Sequence, residues 1–389
     1  MSNIKEMLRK NTMIIALVVV MLLFQLLITT SNKGSLFAPA NITNLILQNS
    51  YVVILAAGML LCILTGGNID LSVGSIVVLV GAVAGIMIVN LQLNIFLSIA
   101  VCLLVGIAIG LWQGFWIAYV RIPAFIVTLA GMMLWRGIAQ VVLYGLTISP
   151  FPDSYLQYFS SFVPNNSEYA MATSVITGVV VFLAYAVLQI WSRIEKKRKQ
   201  YDTSSLAAFI AKLVLLFAVI AAIALSLGNH KGIPVVLILL AVVVFIYDYF
   251  TSKTVPGRHL YAMGGNEKAA KLSGVNTNRV LFFAYVNMGF LSAVAALVCV
   301  ARFNSASPSA GTGYELDAIG SCFIGGASAY GGTGTIGGAV VGAIFMGVLN
   351  NGMSLLGIDA NWQKAVKGLV LLAAVVFDVL SKKQQGFKR

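Results

Sequence analysis

Residues 65–75, Thr-Gly-Gly-Asn-Ile-Asp-Leu-Ser-Val-Gly-Ser, interrupt two strongly apolar runs with glycines, an amide, a carboxylate and hydroxyl groups. An isolated charged side chain at membrane depth costs about 2.5–3.5 kcal/mol or more. Non-helical backbone is tolerated at that depth only where protein buries it or where it lines a water-filled cavity. The segment therefore predicts a passage through a membrane, with Asn68, Asp70, Ser72 and Gly74 as candidate contacts.

Four more residues are candidates for the same passage. Arg136 lies within an apolar run, where its side chain either reaches the membrane surface or pairs with Asp70; we favour a structural or gating pair over a ligand contact. Asn304 belongs to an outer segment rich in hydroxyls, amides and aromatic rings. Such a segment suits hydroxylated ligands or a docking protein, the alternative being an ordinary loop. Gly325 and Gly326 interrupt a late apolar run.

The composition indicates the class of protein. Of the 389 residues, 59% are hydrophobic and 10% are charged, and the mean hydropathy is +0.94. No soluble domain hides that much apolar surface, so residues 1–389 are predicted to form one all-α polytopic membrane domain. The net charge of +13 would suggest nucleic acid as the partner of a soluble protein. Here the basic residues lie at the ends of apolar runs, so they indicate topology in a lipid bilayer and no nucleic acid.

Apolar runs of helix-spanning length define the predicted architecture. The first run resembles a signal peptide, but its length favours a retained helix. Two late runs, 317–330 and 335–350, are short and interrupted by glycines, and about twelve spans result if both cross. The ten longer runs lie at 12–30, 45–64, 72–90, 95–119, 124–144, 171–192, 206–227, 233–251, 280–301 and 362–380.

The distribution of basic residues supports one orientation. With the N-terminus inside, twenty of the 25 Lys and Arg residues fall in inner loops or at inner helix ends, and five fall outside. This bias predicts that both termini are cytoplasmic. Arg136 is counted inside, and Arg302 and Lys367 are counted outside. The longest polar segments, 145–170 outside and 252–279 inside, leave no room for a soluble catalytic domain.

The chain lacks the common sequence motifs of P-loop nucleotide-binding, metal and hydrolase sites. There is no G-x-x-x-x-G-K-[ST], H-E-x-x-H or G-x-S-x-G, and only two histidines are present. We therefore expect no catalytic residues, no metal and no cofactor on this chain. A G-x-G-x-x-G match at 332–337 follows no strand, so it indicates close helix packing, as do two small-residue ladders. The ladders are Gly106/Gly110/Gly114 and Gly334/Gly338/Gly342.

The inner loop 256–279 contains a predicted short helix, 266–272. Asn266 is a suitable N-cap, Glu267 suits the first turn, and Gly274 suits the stop. A capped helix between two spans suits docking into a partner; an ordinary basic loop that sets topology is the alternative.

Glycine-broken polar segments precede an apolar run in both halves of the chain, at Gly74-Ser75 and at Gly337-Gly338. Corresponding breaks of this kind are typical of a transport path built from internal repeats.

Five stretches resemble, in order along the chain, the membrane permeases of bacterial ribose/xylose/galactose-type ABC importers. The stretches are distributed over most of the chain from residue 40 to residue 380, so the resemblance is specific. They are residues 67–74, 123–137, 264–270, 310–319 and 349–357.

The resemblance implies an inner-membrane homodimer that works with two cytoplasmic ATPase subunits and a periplasmic sugar-binding protein. ATP would be bound by the partner subunit. The inner loop is similar to the coupling helix of ABC permeases, Glu-Ala-Ala-x-x-x-Gly, although Lys268 occupies the Glu position. The residues expected to couple to the ATPase are Gly265, Asn266, Glu267, Ala269, Ala270 and Gly274.

The length of the chain resembles that of xylose or multiple-sugar permeases. Residues 171–227 add two spans to the ten-span core of shorter ribose-type permeases. The expected function is therefore a passage for a monosaccharide, xylose or a related sugar. The alternatives are a branched-chain amino-acid-type ABC permease, a secondary transporter that uses Asp70 as a proton or sodium site, and a membrane scaffold or sensor without transport.

Overall fold

The computed structural model describes residues 12–201 and 205–386. The basic residues Lys5, Arg9, Lys10, Lys388 and Arg389, which support the predicted orientation, lie outside this part of the chain. The helices are α1 (Thr12–Thr30), α2 (Pro39–Leu64), α3 (Val73–Gly85), α4 (Ile95–Ala118), α5 (Ala124–Leu143), α6 (Asp153–Leu156), α7 (Ala170–Arg198), α8 (Leu206–Gly228), α9 (Val235–Lys253), α10 (Val255–Gly265), α11 (Glu267–Leu272), α12 (Thr277–Phe303), α13 (Tyr314–Ile324), α14 (Ile336–Leu355) and α15 (Ala360–Gly386).

Short elements complete the fold. A π-helical turn, Ile86–Asn90, extends α3, and a 3₁₀ turn, Ser167–Tyr169, precedes α7. Two-residue strands β1 (Phe162–Val163) and β2 (Ile233–Pro234) pair antiparallel and join the loop before α7 to the start of α9. The prediction of an almost wholly helical protein is therefore confirmed.

Ten helices in the described ranges are long and apolar enough to cross a membrane. The two short late runs behave differently from each other. α14 covers the predicted run 335–350 as a full helix of 20 residues. α13 has only 11 residues, whereas a crossing needs about 20. A complete crossing by the run 317–330 as a helix of its own is therefore excluded by the length of α13.

The core of the bundle consists of α2, α3, α12 and α14, and α12 packs most extensively against α4. Glycine makes that last contact close. A Cβ built at Gly106 would lie 2.5 Å from the Gly289 carbonyl oxygen, and one at Gly110 would lie 2.7 Å from the Tyr285 carbonyl oxygen. The predicted packing role of this glycine ladder is confirmed. By contrast, α7 and α8 pack chiefly on each other and bury few residues.

Two broken segments enter the bundle from opposite ends. After α2 ends at Leu64, the chain turns back along it, and the Asp70 backbone N–H lies 3.5 Å from the sulfur of Met59. After α12, the chain turns inward in the same way, so that Tyr314 stacks on Tyr51 near the middle of α2. Both segments therefore reach the interior before the next helix begins.

Candidate functional site

The carboxylate of Asp70 is fully buried and held by its own segment and by α4. Asp70 Oδ1 accepts hydrogen bonds from the Ser72 backbone N–H at 2.8 Å and from the Ser72 hydroxyl at 2.6 Å. With its amide turned so that Nε2 faces the carboxylate, Gln113 donates to Asp70 Oδ2 at 3.1 Å and accepts from the Trp135 indole at 3.3 Å. This network fixes the turn that starts α3 and accounts for the burial of a carboxylate at this depth.

The two broken segments meet at Gly74 and Gly311. A Cβ built at Gly74 would lie 2.0 Å from the Gly311 carbonyl oxygen, and one at Gly311 would lie 2.1 Å from the Gly74 carbonyl oxygen. Gly311 also has a φ of +69°, a conformation that favours glycine. The contact allows the backbone that enters from one end to touch the backbone that enters from the other.

The predicted pair between Arg136 and Asp70 is wrong. Arg136 Nη1 donates to the Thr312 hydroxyl at 3.1 Å, beside the contact between the two segments. Ser72 and Gln113 already satisfy the Asp70 carboxylate, so it offers no face to a guanidinium. Arg136 is also more than three turns into α5, which corrects its assignment to an inner helix end.

The other predicted passage residues lie apart from this contact. Asn68 bonds only within its own turn, to Thr65. Asn304 caps α12 and accepts from the Phe151 N–H at 2.7 Å. A Cβ on Gly325 would meet the Gly338 carbonyl oxygen at 2.3 Å, which makes it a contact between α13 and α14. Gly326 faces the side chain of Met13 on α1.

We expect Asp70→Asn to destabilise the protein by about 1–3 kcal/mol. The substitution keeps the volume but replaces one acceptor oxygen by an NH₂ group, which must face either the Gln113 amide or the two Ser72 donors, so a buried donor loses its acceptor. Thermal unfolding of purified protein measures the effect. The control is Asp153→Asn, which makes the same change at an exposed carboxylate. Equal unfolding temperatures for the two variants would contradict a structural role for the Asp70 network.

A second buried polar cluster was missed by sequence reasoning. Lys367 Nζ on α15 lies 2.9 Å from Asp317 Oδ1 on α13, and the side chains are only 15% and 1% exposed. The Tyr51 hydroxyl donates to Asp317 Oδ2 at 2.8 Å, and Asn350 Nδ2 lies 3.4 Å from Oδ1. Charged residues within membrane-spanning segments are functional candidates. The sequence signal that could have revealed this cluster is Lys367 itself, because a lysine inside an apolar run needs a partner.

The count of basic residues placed Lys367 at the outer surface. This placement is wrong, because the side chain is buried in the ion pair with Asp317. α15 contacts the bundle chiefly through α13. The ion pair holds the start of α13, and the Asp378 carboxylate accepts from the Ala329 N–H at 3.1 Å in the turn after α13. Two charged groups on α15 thus hold the half-length helix at both of its ends.

Three backbone segments converge at the end of the bundle where α2 stops. The Gly332 N–H donates to the Leu64 carbonyl at 3.1 Å. A Cβ on Gly264, near the end of α10, would lie 1.8 Å from that same carbonyl oxygen and 2.4 Å from the Gly332 nitrogen. The Tyr261 hydroxyl on α10 donates to the Gly334 carbonyl at 2.9 Å. α10 therefore touches the segments that follow both α2 and α13.

The predicted short helix of the inner loop is confirmed as α11. The Asn266 side chain accepts from the Ala269 N–H at 3.0 Å, which is the predicted N-cap. Ala270 is buried, and Gly274 ends the helix with a φ of +86°. A Cβ built on Gly265, by contrast, would meet nothing within 4 Å.

An ion pair joins α11 to the turn between α4 and α5. Arg121 Nη1 lies 2.8 Å from Glu267 Oε1, and the Arg121 guanidinium also donates to Thr277 and Asn278 at the start of α12. The hydrogen bond from Arg121 holds the pKa of Glu267 below its usual range. Sequence reasoning selected Glu267 but not its partner, which lies 146 residues away.

The Arg121–Glu267 pair gives a testable pH dependence. Because the pKa of Glu267 is lowered on folding, the pair stabilises the protein above the unfolded pKa of about 4.3 and is lost as the pH falls through the folded pKa. Both side chains are over 40% exposed, so the contribution is less than about 1 kcal/mol. We expect Arg121→Met to lower the unfolding temperature slightly at pH 7 and by less as the pH falls below the unfolded pKa of Glu267. Arg258→Met, at an exposed arginine, is the control. If Arg121→Met lowers the unfolding temperature equally at all pH values, Arg121 stabilises the protein through Thr277 and Asn278 and not through Glu267.

No group of three or more His, Cys, Asp or Glu side chains in the described ranges could hold a metal ion. The four cysteines are buried and form no disulfide, as expected of small side chains in an apolar bundle.

Comparison with known proteins decides the family. Residues 41–375 match the family described as branched-chain amino acid transport system / permease component. The chain belongs to this family. It is 36% identical over 372 residues to the xylose transport system permease protein of Haemophilus influenzae, with 96% of each chain covered. It is 35% identical over 363 residues to the ribose import permease protein of Escherichia coli K12, with 93% of this chain and 92% of that one covered. No solved structure matches the chain significantly.

The resemblance stated from the five motifs is thereby confirmed. The matched region of the permease includes both broken segments, the buried Asp317–Lys367 pair and the α10–α11 segment, whereas α1 lies before it. The permease is a multi-pass membrane protein.

Proposed function

We propose that this permease is the transmembrane subunit of an ATP-driven importer for a monosaccharide, xylose or a related sugar. The observation that carries the proposal is the match over nearly the whole chain to permeases named for xylose and for ribose transport. The family description names branched-chain amino acids, and the identity to the two sugar permeases favours a sugar over that alternative.

The contacts around α10 support a mechanism for coupling. α10 and α11 would face the cytoplasm of a bacterial inner membrane and contact a partner ATPase, which binds the ATP. Movement of α10 would displace Gly264 against Leu64 and Gly332, and so shift both broken segments together. The contact between Gly74 and Gly311 would then open or close in the interior. The permease itself needs no cofactor for this cycle.

The remaining partners follow from the same proposal. A second copy of the chain completes the passage, and a periplasmic binding protein delivers the sugar from the opposite side. Both termini are then cytoplasmic. α7 and α8 form the two-helix addition to the permease core, which their peripheral packing supports.

Uptake of labelled xylose and ribose by a strain that lacks its own permease tests this function. We expect uptake that requires the cognate ATPase and binding protein and that persists when a protonophore is added with ATP maintained. Competition by leucine but not by sugars would favour the amino-acid alternative. Loss of uptake under the protonophore at constant ATP would favour a secondary transporter.

A further inference from the structure

A cavity of about 340 Å³ lies between α10, the turn after α11 and the start of α12. The lining of the cavity is mostly apolar and includes three polar residues. The polar residues are His259, Asn276 and Arg279, and the apolar residues include Leu260, Val280 and Phe283.

The cavity lies where two spanning helices reach the membrane surface. α9 ends at Lys253, and α10 follows it almost directly, while Arg279 is the third residue of α12. Phe283, one turn further along α12, is 43% exposed and packs on Phe250 of α9 with ring centroids 5.5 Å apart. The apolar part of the lining therefore continues onto the exposed outer surface of α12.

Among the described residues, no acidic side chain forms an ion pair with the polar residues of the cavity. None of the three ion pairs between described residues involves His259 or Arg279. Glu267, the acidic residue of the same loop, is bound to Arg121. An anion that enters the cavity would find donors from a guanidinium, an imidazole and an amide.

We propose that this cavity binds the phosphate of an anionic phospholipid, with an acyl chain lying along Val280 and Phe283. The arrangement of a basic pocket between spans with an apolar exit toward the bilayer fits a lipid headgroup better than a free phosphate. The proposal requires only the membrane location of the permease and goes beyond the proposed sugar transport. A lipid bound here would connect α10 to α12 and so stabilise the position of the α10–α11 segment.

Native mass spectrometry of the full-length permease, extracted from nanodiscs of phosphatidylcholine with added phosphatidylglycerol, tests the proposal. We expect wild type to retain phosphatidylglycerol preferentially. Arg279→Gln is expected to reduce that retention about tenfold, whereas Arg258→Gln, which removes the same charge outside the cavity, leaves it unchanged. Arg279→Lys, which keeps the charge, tests whether a loss reflects misfolding, because it should retain the lipid. Equal retention by the two glutamine variants would overturn the proposal.

Two further measurements test whether the cavity instead binds a soluble anion or a partner ATPase. Glycerol phosphate without lipid should not raise the unfolding temperature of wild type; a rise that Arg279→Gln abolishes would indicate a site for a soluble anion instead. If Arg279→Gln loses a co-purifying ATPase while it keeps phosphatidylglycerol, the cavity belongs to the contact with that protein, and the lipid proposal fails. Neither result depends on which sugar is transported, so a failure here is distinguishable from a failure of the proposed function.

Discussion

Lys367→Met is expected to destabilise the permease by about 3–5 kcal/mol. The substitution leaves the Asp317 carboxylate, whose side chain is 1% exposed, without its counter-ion. Tyr51 and Asn350 still contact that carboxylate, but neither carries a positive charge. The loss should also release the start of α13 from α15, because the ion pair is the charged contact that joins them. Thermal unfolding of the purified protein and the amount of folded protein in the membrane measure the two effects.

The double variant Asp317→Asn/Lys367→Met makes this prediction specific. Removal of both charges should recover a large part of the lost stability, because a buried ion pair replaced as a unit is often close to neutral. Lys364→Met removes an exposed ammonium from the same helix one turn earlier and is the control. If the double variant is no more stable than Lys367→Met alone, the ion pair does not explain the position of α13.

Gly264→Ala is expected to abolish uptake, whereas Gly265→Ala is expected to leave it nearly normal. The Cβ at position 264 would lie 1.8 Å from the Leu64 carbonyl oxygen and 2.4 Å from the Gly332 nitrogen, so backbone must move to admit it. At position 265 nothing lies within 4 Å. The two substitutions add the same methyl group to adjacent residues of α10, and only the first separates α10 from the two broken segments. Labelled-sugar uptake at matched membrane levels measures the difference.

ATP hydrolysis by the assembled complex shows how Gly264→Ala acts. If α10 transmits movement, the variant should still bind the ATPase through α11, while substrate-dependent stimulation of hydrolysis is lost. Equal uptake by Gly264→Ala and Gly265→Ala would contradict the coupling role of the contact with Leu64 and Gly332. If folded Gly264→Ala is absent from the membrane, the contact of Gly264 with Leu64 and Gly332 is needed for stability and not for coupling.

The features that were predicted correctly depend on short stretches of chain. The helix at 267–272 was predicted because an N-cap, an acidic first turn and a terminal glycine act within a few residues. The glycine ladder of α4 was predicted because its spacing alone places the glycines on one face. Gly74 was selected as a candidate passage residue, but its contact with Gly311 was not predicted.

The errors concern partners that are distant in sequence. Arg136 was expected either to reach the membrane surface or to pair with Asp70. In the structure, Gln113 and Ser72 bind the carboxylate, and the Arg136 guanidinium donates to Thr312. Within the inner loop, Gly265 was selected from its motif, whereas the close contact is made by Gly264. A motif gives the position of a segment, and only the packing of neighbouring backbone distinguishes adjacent glycines.

The sequence by itself determined that this is a membrane permease with polar breaks in both halves and a capped helix in the loop 256–279. Hydropathy and capping act over one helix or less, so they can be predicted from the chain alone. The tertiary structure decided that Asp317 pairs with Lys367, that Gly74 meets Gly311 and that Gly264 meets Leu64. Buried polar groups must find partners wherever the packing of helices places them, and that placement depends on contacts between segments that lie far apart in the sequence.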